Sequence, residues 1–170
     1  MMRRGRRRYA NAASYISEAL RLDVAARAMR AGGLDCAAAA VGSAMARLFS
    51  ALRSEDRDQC VFAVVEVAVA AIRAAAELPD AFRMSFPDAY LLVQRQAWDE
   101  LLADHLVHRR RLASLHEGLG VIAEEVVEFG DMAVTGDTAD ARRAAIRLVA
   151  KAIRFLAELA PSSIPHRQAA

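Results

Sequence analysis

The octapeptide AIRAAAEL at residues 71–78 returns as AIRFLAEL at residues 152–159, an offset of 81 residues (152 − 71). An internal duplication decides the architecture of a chain, because each copy must fold alike. Carried upstream without a gap, the offset sets Gly33 on Ser114, Leu34 on Leu115, Leu48 on Phe129, Asp56 on Asp137 and Val65 on Ile146. Two three-helix units follow. The apolar period places a first helix at about 12–30 and 88–111, a second at 35–53 and 115–134, and a third at 57–78 and 138–159. Gly32 and Gly33 end the first helix of unit one, Ser85 with Asp88 caps the start of unit two, and Thr135, Gly136 and Asp137 form the turn before the last helix.

The expected organisation is a basic, disordered arm at 1–11, a degenerate helical unit at 12–78, a linker at 79–87, a second unit at 88–160 and a tail at 161–170. Ala-rich helices can also resemble one another through composition, and the alternative is six helices that share a period.

Composition points to the same class. The chain has 170 residues, the size of a single domain, and is 55% hydrophobic with only 8 Gly and 4 Pro, as closely packed helices require. An all-α helical bundle of about six helices is the expected fold. Glu66 and Arg73 interrupt the most apolar run, CVFAVVEVAVAAIRAAA, so no membrane span is expected. The opening MMRRGRRR lacks the apolar stretch of a secretory signal, and Cys36 and Cys60 read as two buried thiols of a reducing cytoplasm.

The net charge is +2, yet Arg3, Arg4, Arg6, Arg7 and Arg8 crowd the first eight positions, and the remainder is mildly acidic. The commoner reading of such an arm is a solvated, mobile tail; it is also the only feature that suits a nucleic acid partner. Lys151 is the sole lysine, a bias that reads as genome composition rather than function.

Candidate chemistry concentrates in SLHEGLGVIAEEVVEFGDMA, residues 114–133. Leu115, Leu119, Ile122, Val126 and Phe129 form one apolar stripe, with Glu117, Glu124, Glu128 and Asp131 nearly opposite and Glu125 at its flank. The wheel favours a solvated face. Ser114 and Glu117 also make an S-x-x-E capping box. Glu124, Glu125 and Glu128 are three carboxylates within five residues, which repel one another unless solvent, arginine or a hard cation such as Mg²⁺ neutralises them.

HEGLGVIAEEVVEF, followed after a polar turn by AAIRLVAKAIRFLAEL, resembles the MazG-like all-α nucleoside triphosphate pyrophosphohydrolases, notably their phage and actinobacterial relatives, over residues 114–159. The resemblance implies Mg²⁺ on Glu124, Glu125 and Glu128, a nucleoside triphosphate as partner, and release of a monophosphate and pyrophosphate. In that family a second acidic motif, ExxD, on the following helix completes the metal site. Here its positions fall on Ala144 and Arg147, and neither side chain ligates Mg²⁺. Arg143, Arg147 and Arg154 instead make a basic face with Lys151 at its edge, and a guanidinium aimed at the glutamates would replace the cation's charge. The alternative to a Mg²⁺-dependent hydrolase is therefore a catalytically inactive helical binding or scaffold module.

In unit one, Ser43, Ala44 and Arg47 occupy the positions of the three glutamates, while Glu66 is the counterpart of Arg147. Glu66 either joins a composite site with Glu124, Glu125 and Glu128 or pairs with an arginine. Asp104, His105 and His108 lie within one helical turn but read as surface or partly buried residues, and His116 has no assigned role. Tyr90 and Trp98 read as packing residues before base-stacking ones. The chain has no Gly-rich phosphate loop, Ser/His/Asp arrangement or paired CxxC. A homo-oligomer is left open.

Overall fold

A computed structural model describes residues 2–26, 32–78, 84–107 and 110–160, the side chains of 2–6 and 105–107 excepted. Six α-helices and no strand make up the described residues: α1 (Met2–Ala26), α2 (Leu34–Arg53), α3 (Arg57–Glu77), α4 (Phe86–Val107), α5 (Leu115–Thr135) and α6 (Thr138–Leu159). The expected all-α bundle is the observed one. α3 and α6 cross at its centre, and α3 is buried on nearly every side. Arg57, at the start of α3, donates to the Leu159 carbonyl at the end of α6. Arg142, near the start of α6, donates to Ala75 O near the end of α3 at 3.1 Å. The two central helices are therefore antiparallel.

The offset of 81 carries through the architecture. Exchanging α1, α2 and α3 for α4, α5 and α6 maps the set of principal helix contacts onto itself. The turns repeat as well. Asp56 caps α3 by accepting from the Gln59 amide at 3.0 Å, and Asp137 caps α6 by accepting from the Asp140 amide at 2.9 Å. One residue earlier in each turn the backbone is left-handed, at Glu55 (φ 55°) and Gly136 (φ 77°). Equivalent core positions are filled by different residues, Val41 by Ile122 and Leu48 by Phe129, all buried. Turn geometry and burial thus persist where identity does not, as expected of one backbone repeated.

Two boundaries differ from the sequence reading. α1 begins at Met2 rather than near 12, so the arginine-rich segment belongs to the helix. Arg and Ala are strong helix formers, no proline breaks the stretch, and Tyr9 anchors it to α6 through Glu158. α4 ends at Val107, and residues 110–113 are not helical. The expected end of the first helix at 30, residues 79–83 of the linker and the tail at 161–170 lie outside the described residues.

Two other expectations change. α2 and α3 are each long and apolar enough to cross a membrane by length and composition, since one or two charges do not outweigh so many Ala and Val residues. For α3, 83% of that apolar window is buried inside the bundle, which accounts for its hydropathy. Of the two free thiols, Cys60 is buried but Cys36 is exposed, because it lies in the first turn of α2 on the solvent side.

Candidate functional site

The acidic face of α5 is built as the helical wheel requires. Ser114 caps the helix by accepting from the Glu117 amide at 3.1 Å, and the Glu117 carboxylate reaches back to the Ala113 amide and across to Arg110, each at 2.5 Å. The Ala113 hydrogen bond first, then Arg110, holds the Glu117 carboxyl below its ordinary pKa. Glu117 is thereby committed to the helix start. Glu124 and Asp131 are exposed and, with Gly120, Ala123, Val127 and Glu128, border an open depression on the outer side of α5.

Glu125, and Glu128 from the edge of that depression, reach toward α6. Arg147 Nε donates to Glu125 Oε2 at 2.9 Å, and Arg147 Nη2 contacts Glu128 Oε1. Burial acts to lower the Arg147 pKa, but the hydrogen bonds to Glu128 and Glu125 outweigh it and raise the pKa, so the guanidinium is a permanent counter-charge. Ala144, the other position of the expected second motif, is fully buried in the core.

The corresponding pair in unit one has the opposite polarity. Arg47 Nε on α2 meets Glu66 Oε2 on α3 at 2.6 Å, and these residues lie 81 before Glu128 and Arg147. Glu66 thus pairs with an arginine. Among the described residues no three His, Cys, Asp or Glu side chains stand together as a metal site. The residues present do not fit Mg²⁺: two of the three glutamates already share a cation, and the facing helix offers an arginine and a core alanine.

A second polar constellation, which the sequence reading did not single out, occurs twice. Arg73 on α3 bonds Asp23 of α1 at 2.8 Å and Glu77 at 2.5 Å, and Tyr90 of α4 donates to Glu77 at 2.5 Å. At the offset of 81, Arg154 on α6 bonds Asp104 of α4 at 3.0 Å and lies 3.4 Å from Glu158, to which Tyr9 of α1 donates at 2.5 Å. In each copy the tyrosine comes from the other unit, so the two units are cross-tied. The copies are not equal. Arg154 Nε has no hydrogen bond despite its ion contact with Glu158, and Lys151 adds a second cation 2.8 Å from Asp104.

The octapeptide repeat already contains Arg73, Glu77, Arg154 and Glu158, and the offset pairs Asp23 with Asp104 and Tyr9 with Tyr90. The signal was present in the polar residues. Asp104 is thereby occupied by cations, Tyr90 is a buried packing and hydrogen-bonding residue, and Trp98 packs partly buried against the core. His116 is exposed at the start of α5, whereas the side chains of His105 and His108 lie outside the described residues.

No known protein family, curated protein or solved structure matches the chain.

Proposed function

We propose that this chain is a MazG-like helical module whose hydrolytic site has been replaced by an internal ion pair, and that it acts by binding a partner rather than by cleaving a nucleotide. The observation that carries this reading is Arg147, which joins Glu125 and Glu128 across α5 and α6. A Mg²⁺-dependent hydrolase needs open carboxylate oxygens to hold the cation and its waters. A guanidinium between the carboxylates satisfies the helix pair electrostatically and engages one oxygen each of Glu125 and Glu128. The reversed pair, Arg47 with Glu66, supports the same view, since either polarity serves to join the second and third helices of a unit. Two free thiols suit a reducing cytoplasm.

A pyrophosphate-release assay of the wild-type protein with Mg²⁺ and each common nucleoside triphosphate tests the proposal. No release above buffer is expected. Release that disappears in Glu125→Gln would overturn it, because the carboxylate would then be part of a working site.

A further inference from the structure

Arg7 and Arg8 on α1 lie at the same end of the bundle as Arg110 and Arg111, and we infer that together these four form a binding surface for the phosphate backbone of a nucleic acid. The first pair leads directly into Tyr9 on α1; the second leads directly into Leu112. Both pairs end on one carboxylate. Tyr9 donates to Glu158 Oε1 at 2.5 Å and the Leu112 amide donates to Glu158 Oε2 at 2.7 Å. Glu158 is itself buried, so this junction is a fixed part of the bundle. Segments 101 positions apart (110 − 9) in sequence are thus held side by side, and Arg111 lies close enough to Tyr9 for its charge to act on the hydroxyl.

The charge is one-sided. Arg7, Arg8 and Arg111 are exposed and have no acidic partner among the described residues, while Arg110 is exposed and shared with Glu117. Arg7, Arg8, Arg110 and Arg111 are four of the chain's 23 Lys and Arg residues, which leaves 19 elsewhere against 21 acids. The basic end therefore belongs to an otherwise acidic molecule, which orients a polyanion toward it. Arginine's planar fork suits phosphate oxygens, and four positions available on two segments suit a repeating line of phosphates more than one small anion. A membrane surface fits less well. The first eleven residues offer only Met1, Met2 and Tyr9 as large apolar side chains, and Tyr9 is taken up by Glu158.

Fluorescence anisotropy of the full-length protein with a labelled 20-base-pair duplex and with single-stranded RNA of equal length, between 50 and 200 mM salt, reads the surface directly. Four engaged phosphates predict about a hundredfold weakening over that range, and each arginine removed should take away about threefold of it. Arg7→Ala with Arg8→Ala should therefore lower the salt slope by about two, and Arg111→Ala by about one, with helical content and melting midpoint unchanged. Arg21→Ala, an exposed arginine of α1 paired with Glu18, should leave the slope as it is. The inference is overturned by absence of binding to either nucleic acid at 50 mM salt, by an unchanged slope in Arg111→Ala, by an equal loss in Arg21→Ala, or by binding to phosphatidylserine vesicles in place of nucleic acid.

Discussion

Replacing Arg73 by methionine keeps much of the side-chain volume but removes the guanidinium that joins Asp23 to Glu77. Arg73 is 1% exposed, so no water can take over its hydrogen bonds without opening the core. Breaking a buried ion network from one side costs about 3–5 kcal/mol, because the remaining carboxylates lose their compensation. The equivalent change, Arg154→Met, should cost about 1–2 kcal/mol less, since a remaining cation partly restores such a site. Here that cation is Lys151, 2.8 Å from Asp104, and the Arg154 Nε contact to Glu158 is already poor. Urea unfolding followed by circular dichroism at pH 7 measures both, with unchanged slope as the check that only stability has moved. Adding Lys151→Ala to both variants should bring the two costs together, a coupling read by the mutant cycle. A larger cost for Arg154→Met than for Arg73→Met would refute this account of the unequal copies. So would a loss below about 1 kcal/mol for Arg73→Met, which is the scale of an exposed ion pair.

Two further outcomes follow from the repeated turns and tyrosines. Glu55→Gly relieves a left-handed backbone that costs a non-glycine residue about 1 kcal/mol, so thermal denaturation should show a small stabilisation, whereas Gly136→Ala should destabilise by a similar amount. Burial first, then the glutamate hydrogen bond, raises the pKa of Tyr9 and of Tyr90. The folded state then holds these protons more tightly than the unfolded one, so their stabilisation is complete below about pH 10 and is lost as pH rises beyond it. Tyr9→Phe with Tyr90→Phe should lower stability at pH 7 by about 1 kcal/mol per hydrogen bond and flatten the decline above pH 10; an equally steep decline would assign it to other groups.

Much of the fold was legible because burial and turn geometry act locally. Asp56 and Asp137 announce helix starts by side chain alone, and the apolar stripe of α5 needs only the 3.6-residue period. The start of α1 was less legible, since a charged, apolar-poor segment reads as disordered until Tyr9 is seen to reach Glu158 on a helix 149 residues away. Such an anchor is tertiary and leaves no periodic trace. At the acidic face, the sequence placed Arg147 opposite the glutamates but not its choice between them. The structure resolves that choice into contacts with both Glu125 and Glu128. The doubled tyrosine, glutamate, arginine and aspartate set escaped notice for another reason. Each residue alone is ordinary, and only the offset applied to polar positions makes them a group.

Calorimetric titration of Mg²⁺ into the wild-type protein and into Arg147→Gln tests whether Arg147 holds the place of a cation. The substitution frees the Glu125 and Glu128 oxygens and leaves two partly exposed carboxylates in mutual repulsion, so Mg²⁺ should bind more tightly to the variant while its metal-free form melts earlier. The wild type should show little heat at the same concentrations. Tight Mg²⁺ binding by the wild type, or equal binding by both proteins, would contradict the claim.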